Sequence, residues 1–230
     1  MRRAILFDLF NTLVSGGTPA TRTSVNLCTA AVLGVDPEAY DEAFFAVTRE
    51  RYTGAYGSLP GTIRAIASLV GGAPSDEQVE QASALRRTMT AELLATIPDQ
   101  TVSTLDTVRL AGWRIGLVSN VTSETPDRWR ETKLPPYFDA VAFSSELGVA
   151  KPDRGIYLAA CGQLDLPPAE CVYLGDGADH ELATAAALGM YAIRTTEYAD
   201  SDPSWAGPTI GSLTELPALL DGLRRQDLRR

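Results

Sequence analysis

The stretch AILFDLFNTLV, Ala4 to Val14, sets apolar residues in front of a single acid, Asp8, and follows it with Leu9, Phe10, Asn11 and Thr12. A short apolar run of this kind reads as a buried strand, Ala4 to Leu9. An acid at the tip of such a run is a poor core residue, because an unpaired buried charge is costly. It is a good catalyst. In open parallel sheets, ligands bind outside the carboxyl ends of the strands. The reading of Asp8 therefore depends on whether other strands bring polar residues to the same edge.

They do. Further apolar runs recur at Arg114 to Ser119, Ala140 to Phe143, Val172 to Gly175 and Tyr191 to Arg194. Helical stretches separate them, roughly Glu124 to Lys133, Gly155 to Gln163 and Glu181 to Leu188. Alternating strands and helices of this length imply βαβ units and an α/β fold, a doubly wound parallel sheet covered on both faces. Ser119 and Asn120 follow the second strand, Lys151-Pro152 lies in the loop after the third, and Gly175-Asp176-Gly177 with Glu181 follows the fourth.

The segment from Pro19 to Ile97 holds no convincing strand. Asp36-Pro37 reads as an N-cap with proline at the first helical position. Ser75 to Gln78 has capping-box form, and Val79, Ala82, Leu85, Met89 and Leu93 then trace one apolar helical face. Gly71-Gly72 separates this helix from the one before. The expected organisation is a Rossmann-like catalytic core of residues 1–16 and 99–230, with a small all-helical cap of residues 17–98 and a cleft where they meet. Ser212 to Glu215 should start the last helix, and Arg224 to Arg230 should fray.

The residue types define a chemistry. A carboxylate such as Asp8 can attack a phosphoryl group and form an aspartyl-phosphate. The transferring group is strongly anionic and needs a cation. Lys151 can supply one, and Ser119 can hydrogen-bond the group's oxygens. Asp8 and Asp176 side by side would repel unless a positive charge lies between them. Mg²⁺ suits that place, since it takes one or two carboxylates plus waters and phosphate.

With these residues in view, the sequence resembles the haloacid dehalogenase-like hydrolase superfamily. The resemblance rests on FDLFNTLV, on Leu117 to Asn120 (LVSN), on Lys151-Pro152-Asp153 and on YLGDGADHELATAAALGM, Tyr173 to Met190, in that order. The helical segment resembles that family's cap inserted after the first motif. The resemblance implies that Asp8 is nucleophile and metal ligand, that Thr12 fixes the first loop, and that Ser119 and Lys151 bind the transferring group. It also implies that Asp176 holds the metal with Glu181 beside it, directly or through water. The Phe10 carbonyl would be a further ligand, and Asn120 would touch substrate.

One position departs from the family pattern. Its phosphatases carry a second Asp two residues after the nucleophile, where this chain has Phe10. General acid–base help is worth about 10²–10⁴ in rate. Either the substrate has a good leaving group, or another residue supplies the proton, or the reaction is not phosphate hydrolysis. Dehalogenases of the superfamily carry an aromatic residue at this position and need no metal. They have no use for Asp176, so its presence favours a Mg²⁺-dependent phosphatase of a small phosphorylated metabolite over a metal-independent 2-haloacid dehalogenase. A non-catalytic domain that binds ligand in the same pocket is the remaining class.

The bulk numbers narrow the partners. The chain has 230 residues and a formal net charge of −9, which argues against nucleic acid. No run approaches the ~18 apolar residues of a membrane span, and the four apolar residues between Arg3 and Asp8 are too few for a signal peptide. The expected location is the cytoplasm, as a monomer or homodimer. Cys28, Cys161 and Cys171 lack metal-type spacing and read as buried free thiols. His180, the lone histidine, reads as solvated. Arg49, Arg51, Tyr52 and Tyr56 read as a solvated helix end. Trp113, Trp129 and Trp205 read as packing residues. Glu181 is left between metal ligand and decoration of a helix's first turn.

Overall fold

A computed structural model describes residues 3–227. Six parallel strands form one sheet in the order β3-β2-β1-β4-β5-β6: β1 (Ala4–Phe7), β2 (Arg114–Ser119), β3 (Ala140–Phe143), β4 (Cys171–Gly175), β5 (Tyr191–Thr195) and β6 (Thr209–Ile210). The helices are α1 (Pro19–Leu33), α2 (Pro37–Ala46), α3 (Thr48–Tyr52), α4 (Leu59–Leu69), α5 (Asp76–Ala95) and α6 (Asp99–Leu110), then α7 (Thr125–Arg130), α8 (Ser144–Leu147), α9 (Arg154–Gln163), α10 (Glu181–Ala187) and α11 (Leu216–Asp227).

The sheet is doubly wound because its strands are apolar on both faces. Alternate residues of β1 point opposite ways: Ile5 and Phe7 join Leu105 of α6 and Leu216 and Leu220 of α11, while Ala4 and Leu6 join Ile156 and Tyr157 of α9 and Leu182 of α10. Burial of a side chain of this size is worth about 1.5–3 kcal/mol, so both faces need helical cover. Register pairs Phe7 with Leu117 and with Leu174, which aligns the ends of β1, β2 and β4. The central strand order reverses at β1, between β2 and β4. That switch point opens the crevice in which Asp8 stands.

The inserted helices build a core of their own. Ala30, Leu33, Tyr40, Phe44, Leu59, Ile63, Ile66 and Val79 cluster apart from the sheet's two layers. Local chemistry sets their ends. Asp36 caps α2, with the Ala39 amide donating to its side chain, and Ser75 and Gln78 form the reciprocal capping box of α5.

Several details differ from the sequence reading. β1 ends at Phe7, and α7 is confined to Thr125–Arg130. On α5 the buried face runs through Val79, Ala82, Ser83, Arg86, Thr90 and Leu94, whereas Leu85 is exposed. Two-residue β6 is too short to carry a readable signal. Cys28 is exposed on α1; only Cys161 and Cys171 are buried. Helix α11 runs to Asp227, and within it the Arg224 guanidinium stacks over Trp113 and donates to the Ala111 carbonyl. The rest of the expected fraying segment, and Met1 and Arg2, lie outside the described residues. Trp113 and Trp129 are packing residues in the core, with Trp205 against its edge. No helix among the described residues is long and apolar enough to cross a membrane.

Candidate active site

Asp8 leaves the end of β1 with its amide still donating to the Leu174 carbonyl, so the sheet fixes where its side chain starts. The carboxylate is buried. Its Oδ1 accepts from Lys151 Nζ at 2.7 Å and from Ser119 Oγ at 3.1 Å, and its Oδ2 accepts from Thr12 Oγ1 at 3.4 Å. Ser119 ends β2, and Lys151 enters from the loop after β3. Residues 111 and 143 positions away in sequence thus meet on one oxygen.

Lys151 is itself buried and bridges two acids. Its Nζ lies 2.7 Å from Asp8 Oδ1 and 2.5 Å from Glu181 Oε2. Burial works against the ammonium, but Asp8 and Glu181 outweigh it and hold Lys151 protonated well above the ordinary lysine range. Burial raises the Asp8 carboxyl, with Asp176 adding to the rise and Lys151 opposing it. Burial likewise pushes Glu181 up to about 7, against the pull of Lys151.

Glu181 does not decorate a surface. It is fully buried at the start of α10, and both its oxygens are engaged. Oε2 accepts from Lys151 and from Tyr173 OH at 2.7 Å, and Oε1 accepts from the Gly177 amide at 2.9 Å. The fit depends on a missing side chain. A Cβ on Gly175 would stand 2.0 Å from Glu181 Oε1. Gly175→Ala is expected to push Glu181 off Lys151 and lower stability by about 2 kcal/mol or more, read as a fall in the melting temperature. Adding Glu181→Asp, which shortens the acid, should restore part of it.

Asp176 follows β4 and is buried opposite Asp8. Its Oδ2 accepts from Ser201 Oγ at 2.6 Å and from Asn11 Nδ2 at 3.3 Å, and its Oδ1 accepts from the Ala178 amide at 3.1 Å. Carboxylate oxygens of Asp8, Asp176 and Glu181 lie within 4.8 Å of one another. Three buried acids face one buried ammonium, so the cluster lacks positive charge. A divalent cation has the sign and size to make up that deficit. The donor set, all oxygen, suits Mg²⁺.

Asn120 is a clamp on the lysine loop. Its Oδ1 accepts from the Lys151 amide at 2.7 Å, and its Nδ2 donates to the Lys151 carbonyl and to Asp179 Oδ2 at 2.7 Å. Phe10 lines the cleft and packs against the sheet's core. His180 is exposed and lies outside this cleft.

The cleft is a cavity of about 360 Å³ with the inserted helices as its roof. Arg51 and Tyr52 are part of that roof, which corrects their reading as a solvated helix end; Arg51 is buried, held by the Phe44 carbonyl at 3.0 Å. Arg49 is exposed. Sequence reasoning also missed Asn11, Ser201 and Tyr173. Asn11 carried a signal, since it sits just after the acid and adopts φ 59°, a conformation asparagine tolerates better than most residues. Ser201, in the loop after β5, carried none.

The sequence profile of haloacid dehalogenase-like hydrolases matches residues 2–189. The chain belongs to this family. Among curated relatives of the hydrolase, a glyceraldehyde 3-phosphate phosphatase of Methanopyrus kandleri is 27% identical over 208 residues, covering 88% of each chain. An (S)-2-haloacid dehalogenase 1 of a Pseudomonas species is 29% identical over 131 residues, or 55% of this chain and 57% of its own length. The hydrolase also shares its fold with the crystal structure of a 2-haloacid dehalogenase from Pseudomonas syringae pv. tomato, at TM-score 0.73 and 21% identity, covering 97% of this chain and all of the other.

Proposed function

We propose that this hydrolase is a Mg²⁺-dependent phosphatase of a small phosphorylated metabolite, working through an aspartyl-phosphate on Asp8. The observation that carries the reading is Asp176. It is buried beside Asp8 and oriented by Ser201 and Asn11 in a cluster short of positive charge. A reaction without a cation would leave this acid an expensive ornament. Residues 1–16 and 99–230 form the catalytic core in this reading, and residues 17–98 the cap that selects substrate. The −9 charge disfavours nucleic acid as a partner. The reading includes a cytoplasmic monomer or homodimer.

The roles follow from the contacts. Asp8, Asp176 and the Phe10 carbonyl would hold the cation, with Glu181 beside them, directly or through water, and the cation would supply charge neutralisation at the phosphoryl oxygens. Glu181 also positions Lys151, whose ammonium it accepts from. Asp8 attacks phosphorus, the new O–P bond forms, and the ester P–O bond breaks with its electron pair leaving on the substrate oxygen. Lys151 and Ser119 bind the transferring group, and Thr12 steadies the loop. Asn120 borders the substrate and keeps Lys151 in register. Water then cleaves the aspartyl-phosphate. Phe10 can give no proton to the departing oxygen, so good leaving groups are favoured.

A panel of aryl, acyl and alkyl phosphates tests this, with glyceraldehyde 3-phosphate included on the strength of the Methanopyrus relative. Hydrolysis is expected with Mg²⁺, to be lost in excess chelator, and to be faster for aryl and acyl than for alkyl esters. Phe10→Asp should raise the alkyl rates selectively, by up to about 10²-fold. Turnover that ignores chelation would sink the metal role. A second reading has its own observation: the aromatic Phe10 suits a 2-haloacid dehalogenase, whose leaving halide needs no proton. Halide release from 2-chloropropionate in excess chelator would establish it. Absence of all turnover, with Mg²⁺ still raising the melting temperature, would indicate a binding domain.

A further inference from the structure

The cleft holds charge that phosphoryl transfer at Asp8 does not use. Arg51 of α3 and Arg86 of α5 both line it, and both are buried, with 6% and 5% of their surface exposed. Their guanidinium carbons lie over the Phe44 ring, 3.6 and 4.1 Å from its centroid. Among the described residues, no carboxylate oxygen comes within 4 Å of either group. Arg86 donates to Asn26 Oδ1 at 2.8 Å. Arg51 donates to the Phe44 carbonyl and to Thr48 Oγ1, each at 3.0 Å.

A guanidinium carries five N–H donors. Three remain on Arg51 and four on Arg86. Packing on Phe44 alone would be met at lower cost by apolar side chains, since a buried ion without a partner is strongly unfavourable. Burial does weaken both charges, lowering Arg51 to about 10 and lowering Arg86 as well. The nearby acid is Glu124, just ahead of α7, which also lines the cleft. It favours both charged arginines without bonding either, and its buried Oε2 has no hydrogen-bond partner. Two buried arginines against one acid, with Arg22 of α1 also lining the cleft, leave the roof net positive in a chain of charge −9.

We propose that Arg51 and Arg86 form a second anion subsite, so that the substrate is a phosphate ester bearing another acidic group, carboxylate or phosphate, at its far end. The proposal rests on the reading of Asp8 as the site of phosphoryl transfer, and it assigns substrate class to two cap residues. Arginine suits the task because its planar fork meets a carboxylate or phosphate with two parallel hydrogen bonds. Glu124 offsets part of the arginine charge, and the positive excess that remains disfavours a cationic or neutral tail.

The test compares propyl phosphate, 3-phosphooxypropionate and 1,3-propanediol bisphosphate, which share a three-carbon spacer and differ in the far group. At least one acidic ester is expected to exceed propyl phosphate tenfold or more in kcat/KM, mainly through KM. The better acidic ester tells carboxylate from phosphate. Arg51→Gln and Arg86→Gln should each reduce that preference at least tenfold. Glu124→Gln should increase it, which guards against arginine variants that fail to fold. Equal kcat/KM for the three esters, or a preference unchanged in the folded variants, overturns the proposal. If no ester is turned over, the reading of Asp8 fails separately. Calorimetry on the same three compounds then decides the subsite, with tighter binding of an acidic ester in wild type and its loss in Arg86→Gln as the supporting result.

Discussion

Lys151→Met is expected to cost about 3–5 kcal/mol of stability and to abolish hydrolysis. The ammonium is the shared partner of Asp8 and Glu181, at 2.7 and 2.5 Å, and all three groups are buried. Removing one member of a buried ionic cluster strands the others, which is where the 3–5 kcal/mol arises. In a chain of this size that is roughly a 10 °C fall in melting temperature. The pH dependence carries a sign. Glu181 already sits at about 7 against an ordinary 4.5, because burial disfavours its charge, and Lys151 pulls it down. Without the lysine it rises further. A carboxyl raised in the folded state destabilises as it ionises, so the variant should lose most stability as pH climbs from about 4.5 through its folded value. Melts in chelator at pH 5.5 and pH 8 should show the larger deficit at pH 8. Glu181→Gln added to Lys151→Met should recover stability without recovering turnover. A single variant as stable as wild type at both values would show that the lysine is not the charge that balances this cluster.

Much of the fold was legible because its signals are local and redundant. The runs at residues 114–119, 140–143 and 172–175 are apolar on both faces, which only a sheet covered twice can bury. The polar residues after each run then had to share an edge. The Ser75 and Asp36 caps are equally local. What sequence could not give was direction. Arg51 and Arg86 look like surface residues of amphipathic helices, and it takes the packing of α2, α3 and α5 around Phe44 to turn them inward. Glu181 was undecided because an acid in a first helical turn is ordinarily solvated. Its burial depends on Gly175 and Tyr173, whose roles have no local signature. Ser201 reaches Asp176 from a loop whose path no periodicity encodes.

Asp8→Asn should reduce turnover by about 10⁴-fold or more, the scale on which a lost nucleophile is felt, while leaving the protein as stable as before or more so. The two effects separate catalysis from folding. The amide keeps the size of the carboxylate and can still accept from Ser119 and Lys151, but it cannot attack phosphorus. In the folded protein the Asp8 charge is disfavoured by burial and by Asp176, so its removal relieves a repulsion. Lys151 retains Glu181 as its counter-ion, so no cation is stranded. A melting temperature in chelator equal to or above that of wild type is therefore expected at neutral pH. Stability given up for function is a common feature of active sites. Mass spectrometry of acid-quenched wild type during turnover should find phosphate on the peptide that carries Asp8, and none in the variant. Turnover surviving the substitution would move the nucleophile to another group. A large loss of stability would instead make Asp8 a structural counter-ion of Lys151, and the cleft would need a different chemistry.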